Sequence, residues 1–355
     1  MNRTTILLLF GGESSEHEVS ISSARNVYAA IDDTNYTVLL GYIDRQGKWW
    51  LIDEFNERVD SHGAPQLMPA LGAGSFVTMP GNRIVSPDVI LPILHGKNGE
   101  DGSVQGLAQL LHIPIVGCNV TASAICMDKV ATKEILRANS LTVVPYVVHR
   151  SGDAAPDFNH LSMQLGSPMF VKPVHAGSSV GVSKIYSEEE LTKALTVAYE
   201  HDASVLIERG ISGRELEVAV LGNPPHHQVS DICEVKLKEG FYDYETKYAA
   251  TSTAELTIPA DLPESTKERI RQLAGKAYSI VGGTGLARVD FFLADDDTVY
   301  INEINTMPGF TNLSVYPKQW RNEGISYSDL IERLISLALH DTIKPKEMEE
   351  QWKAF

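Results

Sequence analysis

An α/β protein that opens with a parallel sheet is what the sequence predicts, and three observations predict it. The apolar run Ile6–Phe10 ends at Gly11-Gly12 and is followed by a segment whose apolar residues recur at helical spacing. Two more apolar runs, Tyr36–Ile43 and Val89–Leu94, repeat the strand signal, and alternating strands and helices imply a parallel sheet covered by helices. After Met169 the pattern changes to short strands at hairpin spacing, which marks a different kind of sheet.

The chain has 355 residues, enough for two or three domains, and is 43% hydrophobic and 21% charged, as in ordinary globular proteins. Its net charge of −16 and the lack of a basic stripe exclude general binding to nucleic acid or to an anionic membrane surface. Any anionic ligand must then be held by locally clustered Lys and Arg. The three cysteines (Cys118, Cys126, Cys233) are widely spaced without CxxC, which excludes a disulfide framework and a Cys-rich zinc site and fits a reducing cytosol. No run approaches 18 apolar residues, so a cytoplasmic protein is expected.

The first strand, Ile6–Phe10, precedes a helix over about Ser20–Ile31 with Ala24, Val27 and Ile31 on one side. Asp44–Pro87 is rich in Gly and Pro and reads as an irregular surface excursion. The polar segments Gly11–Ser20 and His95–Gly102 both follow strands, and ligands in such sheets sit beyond the strands' carboxyl ends, so the two should meet at one crevice. A helix over about Thr121–Ala138 opens the second region, where hairpin strands at Met169–Pro173, Val180–Tyr186 and Val205–Glu208 surround a helix at Glu188–Tyr199. Strands near Glu215–Leu221 and Asp231–Lys238, a polar loop at Glu239–Thr253 and helices over about Glu264–Val281 and Tyr327–Leu339 complete the chain. The loop carries Gly240, Lys247 and Tyr248 between regular segments and reads as a lid.

The most informative stretch runs from Leu286 to Asn305. Two alternating runs flank Asp295-Asp296-Asp297, the mark of a hairpin. A turn centred on Asp296-Asp297 pairs Asp290 with Glu303 and Arg288 with Asn305 on one face, leaving Val289, Phe291, Leu293, Tyr300 and Ile304 on the other. Opposed side chains have Cβ atoms roughly 5 Å apart. Two carboxylates that close need a cation, and Mg²⁺, or a pair of metal ions bridged by Glu303, suits their hard oxygens. An exposed hairpin with solvated charges is the plain alternative.

Other segments are weaker alone. Lys172 on a strand leads into Gly177-Ser178-Ser179-Val180-Gly181, where glycines and hydroxyls can approach phosphate oxygens, or which is simply a hairpin turn. It is not a Walker A loop, and Gly11-Gly12 lacks the dinucleotide fingerprint. Lys129 near a helix start would ordinarily be solvated. The strand ending in Glu208-Arg209, followed by Gly213-Arg214-Glu215, would suit a nucleotide edge. His95 is either a satisfied core histidine or a crevice residue.

Taken together, Gly11–Ser20, His95–Gly102, Met127-Asp128-Lys129, Lys172-Pro173, Gly177–Gly181, Tyr242–Tyr248 and Asn302–Gly309 resemble the D-alanine–D-alanine ligase family of the ATP-grasp superfamily, in order and spacing over nearly the whole chain. The resemblance implies a three-domain ATP-grasp architecture: an N-terminal α/β substrate domain (1–118), then a central domain (119–211) and a C-terminal domain (212–355) that clasp ATP. It implies that two D-alanines are joined through an acyl phosphate, for peptidoglycan precursors. Relatives that make D-alanyl-D-lactate or D-alanyl-D-serine are the alternative.

By the same resemblance, Asp290, Glu303 and Asn305 ligate Mg²⁺ or Mn²⁺, two ions being the expectation. Lys129, Lys172 and Lys247 contact ATP phosphates, with Ser178, Ser179 and Arg209 also on the nucleotide. The strand edge at Glu208 reads adenine and Glu215 the ribose. Glu16 holds the first substrate's ammonium, with His95 nearby. Arg288 and the Gly309 N–H stabilise the oxyanion, Ser314 orients the second substrate's carboxylate, and Ser178 with Tyr248 links Glu16 to the lid. A homodimer is implied as well.

Overall fold

The computed structural model describes residues 3–56, 59–237 and 254–340, in three sheets. Strand β1 (Thr4–Gly11) pairs in parallel with β2 (Tyr36–Ile43) and β7 (Val89–Ile93). Ile6 to Phe10 are fully buried, as expected for a parallel strand covered on both faces. Helix α1 (His17–Ala30) covers one face and α2 (Ser103–Leu111) belongs to the other, with Val104, Ala108 and Leu111 buried there. At the end of β1, Gly11 has φ +94°, and a Cβ there would lie 2.2 Å from the Ile43 carbonyl, so only glycine lets the chain leave the strand here.

Asp44–Pro87 is not irregular. It supplies β3 (Trp49–Ile52), β4 (Gln66–Ala70), β5 (Ser75–Met79) and β6 (Ile84–Val85), which extend the first sheet antiparallel beyond β2 to seven strands. Each is five residues or fewer and is bounded by Gly or Pro turns, so the period-two signal never lasts long enough to stand out. Leu67, Phe76 and Val85 nevertheless point inward.

The helix expected over Thr121–Ala138 is two helices, α3 (Val120–Met127) and α4 (Lys129–Ala138). Asp128 leaves helical geometry (φ −85°, ψ 102°), and its carboxylate accepts from the N–H groups of Val130 and Ala131, so it caps α4 rather than continuing α3. Both helices share a core with Leu216, Val218, Val289 and Phe291.

The second sheet has the order β10-β9-β11-β8, from β8 (Tyr146–Arg150), β9 (Met169–Pro173), β10 (Ser183–Ile185) and β11 (Ser204–Arg209), all antiparallel. Only Ser183–Ile185 of the expected Val180–Tyr186 strand is extended, because the Gly/Ser loop occupies the rest. Strand β11 is internal, paired on both sides, and so is not the sheet edge expected for Glu208. Helices α5 (Phe158–Leu165) and α6 (Glu188–Tyr199) bury one face against Val171 and Ile207, leaving Tyr146, Phe170, Lys172 and Glu208 on the other. Asp157 and Ser187 cap these helices.

The third sheet is antiparallel in the order β14-β13-β12-β15-β16: β12 (Gly213–Leu221), β13 (Gln228–Leu237), β14 (Ala254–Thr257), β15 (Leu286–Ala294) and β16 (Val299–Asn305). Helix α7 (Glu264–Ile280) packs on its apolar face. Helices α8 (Val315–Asn322) and α9 (Tyr327–His340) join Phe10, Leu91 and Leu286 in a core shared between the first and third sheets. The expected lid, Glu239–Thr253 with Lys247 and Tyr248, lies outside the described residues. No described helix is long and apolar enough to cross a membrane.

Candidate active site

The site begins with the hairpin β15–β16. Asp290 faces Glu303 and Arg288 faces Asn305, as expected, but the turn is the three residues Asp295–Asp297 and not the expected pair Asp296-Asp297. Phe291 pairs with Ile301 and Phe292 with Tyr300, and a bulge at Asn302 restores the register before Glu303. Tyr300 consequently lies opposite Phe292, on the face of Arg288 and Asp290, and not on the apolar face where strict alternation placed it. Ile301 takes that place and is fully buried.

Strand β12 lies against β15 and aligns Glu217 with Asp290, so Glu217, Asp290 and Glu303 form a row of carboxylates across three strands. Arg288 neutralises part of it. Its Nε and Nη2 donate to the two Asp290 oxygens at 2.7 Å each, and Nε lies 3.4 Å from Glu217 Oε2. Burial opposes the guanidinium charge, but the Asp290, Glu217 and Glu303 carboxylates outweigh it and raise its pKa well above the ordinary value. Asn305 Oδ1 accepts from the Met307 N–H at 3.1 Å.

The two loops expected to meet do meet. Ser14 Oγ donates to the His95 carbonyl at 2.7 Å. Glu16 is 5% exposed and accepts a 2.5 Å hydrogen bond from Ser178 Oγ. Ser178 and Ser179 adopt φ values of 49° and 59°, and Gly181 closes the loop at φ +71°, where a Cβ would lie 2.7 Å from His201 and 2.9 Å from Pro173. His95 is buried, its Nδ1 lies 3.1 Å from the Met307 carbonyl, and its Nε2 has no partner among the described residues. Burial alone would lower the imidazole pKa; Glu100, Glu16 and the Met307 carbonyl raise it above its usual value.

Glu16, His95, Lys129, Ser178 and Arg288 line one cavity of about 820 Å³, together with Glu217, Glu303, Asn305, Gly309 and Ser314. Gly309 is placed so that a Cβ would lie 3.2 Å from Ser314 Oγ, and that hydroxyl bonds Thr311 through its N–H (3.1 Å) and Oγ1 (2.8 Å). Lys129 Nζ donates to the Ala176 carbonyl at 2.5 Å; burial lowers its pKa, and Glu303 offsets part of that.

Lys172, Ser179, Glu208, Arg209, Glu215 and Asp290 do not line this cavity. Lys172 lies 2.5 Å from Glu208 Oε2, and Lys133 lies 2.9 Å from Glu208 Oε1. Burial would raise the Glu208 pKa, but the two ammonium groups hold it below the usual carboxylate range. Arg209 Nε donates to the Leu165 carbonyl at the end of α5, so its guanidinium is already committed. Glu215 pairs across strands with Phe292 and Val235, on the face of Glu217.

Three residues escaped the sequence reading. Glu217 was legible as a second acid at i+2 on the strand carrying Glu215. Lys133 stands one helical turn after Lys129, and Glu100 sits in the His95 loop, bonding Gly96 N–H at 2.9 Å.

Two carboxylates and an amide oxygen on one sheet face form a hard donor set that suits Mg²⁺ or Mn²⁺ with phosphate and water completing the shell. Among the described residues, no group of three His, Cys, Asp or Glu is arranged to hold a metal by itself.

Family models described as the N-terminus and the C-terminus of D-ala D-ala ligase match residues 5–118 and 135–336. The chain is 43% identical over 352 residues to D-alanine–D-alanine ligase A of Escherichia coli K12, covering 96% of each, and 46% identical over 346 residues to the D-alanine–D-alanine ligase of Sodalis glossinidius, covering 94% of each. Among solved structures, the D-alanine–D-alanine ligase of Coxiella burnetii superposes with a TM-score of 0.86 at 36% identity, over 100% of this chain and 97% of that one. The VanG D-Ala:D-Ser ligase of Enterococcus faecalis gives 0.86 at 34% identity, over 95% and 100%. With both halves matched and the length covered end to end, the chain belongs to the D-alanine–D-alanine ligase family.

Proposed function

We propose that this chain joins two D-alanines at the expense of ATP, and that the cavity holding Glu16, His95 and Arg288 is where it does so. The observation that carries the reading is the convergence, in one cavity, of a buried acid for an ammonium, a guanidinium for an oxyanion, and carboxylates beside a lysine for a metal-bound phosphate. In the first step a carboxylate oxygen of the first D-alanine attacks the γ-phosphorus, the bond to the bridging oxygen breaks, and ADP leaves. In the second, the deprotonated amine of the second D-alanine attacks the acyl carbon and phosphate departs. Such chemistry needs positioning and charge neutralisation more than covalent help.

Glu16 fixes the first substrate's ammonium, and Ser178 holds Glu16 in place. Arg288 and the Gly309 N–H face the oxygen that gains charge in the second step, while Ser314 receives the incoming carboxylate. Lys129 and Lys172 serve the phosphates, with Ser178 and Ser179 beside them. The strand end at Glu208-Arg209 serves the base, Arg209 through its backbone, and Glu215 the ribose. Asp290, Glu303 and Asn305 would hold one or two Mg²⁺ or Mn²⁺ ions, which supply charge neutralisation at the transferring phosphoryl group. Lys247 and Tyr248 are assigned by sequence alone. The partition into 1–118, 119–211 and 212–355, a homodimer and a cytoplasmic location belong to the same reading.

A phosphate-release assay with ATP, Mg²⁺ and D-alanine tests it, with D-serine or D-lactate offered as competing second substrates. Dipeptide as the main product is expected. No phosphate release with D-alanine would overturn the reading, and predominant ester or D-alanyl-D-serine would reassign the second substrate.

A further inference from the structure

Lys133 is 1% exposed and does not line the active-site cavity, yet it carries a charge into the interior. Its ammonium is held on three sides: Glu208 Oε1 at 2.9 Å, the Asn302 carbonyl at 3.2 Å and the Tyr146 ring at 5.9 Å from its centroid. Asn302 is the bulged residue of β16, so the bulge that aligns Asp290 with Glu303 also delivers this carbonyl. The chain after α4 forms a bridge from Val143 to Ile301, which fixes α4 beside the bulge.

Glu208 thus has two cations for one carboxylate. The second, Lys172, is 12% exposed on its side chain and, among the described residues, otherwise donates to Asn302 Oδ1 at 3.4 Å. A triphosphate competes for Lys172. If Lys172 turns toward it, Glu208 would be a buried charge with no counter-ion unless a cation stays behind, and such a charge is severely penalised. Lys133 is enclosed and stays. Oε1 remains neutralised while Oε2 is released as a fixed acceptor at the strand end. A base that presents an amine there gains a hydrogen bond; one that presents a carbonyl sets acceptor against acceptor.

We propose that Lys133 is a positioning residue that holds Glu208 as a fixed acceptor, and that it thereby sets the preference for an aminopurine over an oxopurine nucleotide. The proposal rests on the assignment of the Glu208 strand end to the base. It is tested on the full chain by equilibrium calorimetry with ATP and with ITP, without D-alanine, so that ligation is not the readout. Lys133→Met should reduce the ATP-over-ITP preference by about 10- to 100-fold, the range for a hydrogen bond to a charged group. Lys133→Arg should restore most of it, and KM for ATP should rise in Lys133→Met more than kcat falls.

Because Lys133 acts through Glu208, adding Lys133→Met to Glu208→Gln should change the preference less than twofold. That comparison also decides the matter if Lys133→Met alone does not fold, since the double variant removes both enclosed charges and leaves only Lys172, at the rim of the group, without its carboxylate. An unchanged preference in Lys133→Met, or effects that multiply in the double variant, would overturn the proposal alone. Failure of the wild-type chain to bind ATP would overturn the nucleotide site and the proposal with it.

Discussion

Ser178 donates its hydroxyl proton to Glu16 across 162 residues of sequence, tying the Gly/Ser loop of the second sheet to the first helix of the N-terminal sheet. Glu16 is buried, and that bond helps to fix its aim. A hydrogen bond to a charged group is worth about 1.5–3 kcal/mol, so Ser178→Ala should raise KM for the first D-alanine about tenfold. Glu16→Gln should raise it further while leaving KM for ATP within about twofold, because ammonium binding loses its counter-charge. Initial rates over a D-alanine series at saturating ATP check both. An unaltered D-alanine KM in Glu16→Gln would detach this residue from the substrate.

Acid stability should depend on Glu234. Its carboxylate takes two 2.7 Å hydrogen bonds from Arg214 and lies 3.3 Å from Lys236. The Arg214 bonds lower its pKa, against burial, which raises it. The folded pKa therefore sits below the unfolded one. The stabilisation is complete above the unfolded value and is lost as pH falls through the folded value. At neutral pH Glu234→Gln should cost about 1–2 kcal/mol, and the difference from wild type should shrink at an acid pH below the folded value. Urea unfolding at both pH values measures it; a constant difference would refute the linkage.

All three cysteines are buried, at 3%, 8% and 0% exposure for Cys118, Cys126 and Cys233. Burial pushes the Cys118 thiol up to about 12 and raises the other two as well. The thiolate is the reactive form, so the native chain should not react with a disulfide reagent over an hour at about pH 8, whereas the denatured chain should release three equivalents. Rapid labelling of the folded protein would show that one of these cores opens.

Unbroken apolar runs were legible because burial on both faces leaves a signal that no loop imitates: Ile6–Phe10 lies inside β1 and is fully buried, and the expected Val89–Leu94 overshoots β7 by one residue. The short strands of Asp44–Pro87 were not, since two to five residues carry too little periodicity. Asp128 looked like an interior helical residue and is a cap, a distinction that rests on its backbone geometry and not on its type. The metal-type face was legible from alternation alone. The longer, three-residue turn and the bulge at Asn302 cancel at Asp290–Glu303 but not at Tyr300, so the site pairing was right while the outer register was wrong. Lys133 stayed hidden because a buried charge is defined by its partners, and Glu208 and Asn302 lie far away in sequence.

The opposition of Asp290 and Glu303 leads to the last prediction, an absolute requirement for a divalent cation. Both Asp290 oxygens are bonded by Arg288, while Glu217 and Glu303 flank the pair on the neighbouring strands. Among the described residues, the Arg288 guanidinium and the Lys129 ammonium face three carboxylates, and a triphosphate would add more negative charge. Nucleotide and acids can share the face only if cations come with the nucleotide. Glu303→Gln removes one charged donor without changing shape, so the fold should survive and melt within about 4 °C of wild type, as for a loss of less than about 1 kcal/mol. Turnover should fall by about 10²–10³, the range for loss of one group that stabilises transition-state charge. The loss should appear in kcat, with KM for D-alanine nearly unchanged, and excess Mn²⁺ should recover part of it. Wild-type turnover that persists in excess EDTA, or a Glu303→Gln variant with normal kcat, would remove the metal from this hairpin.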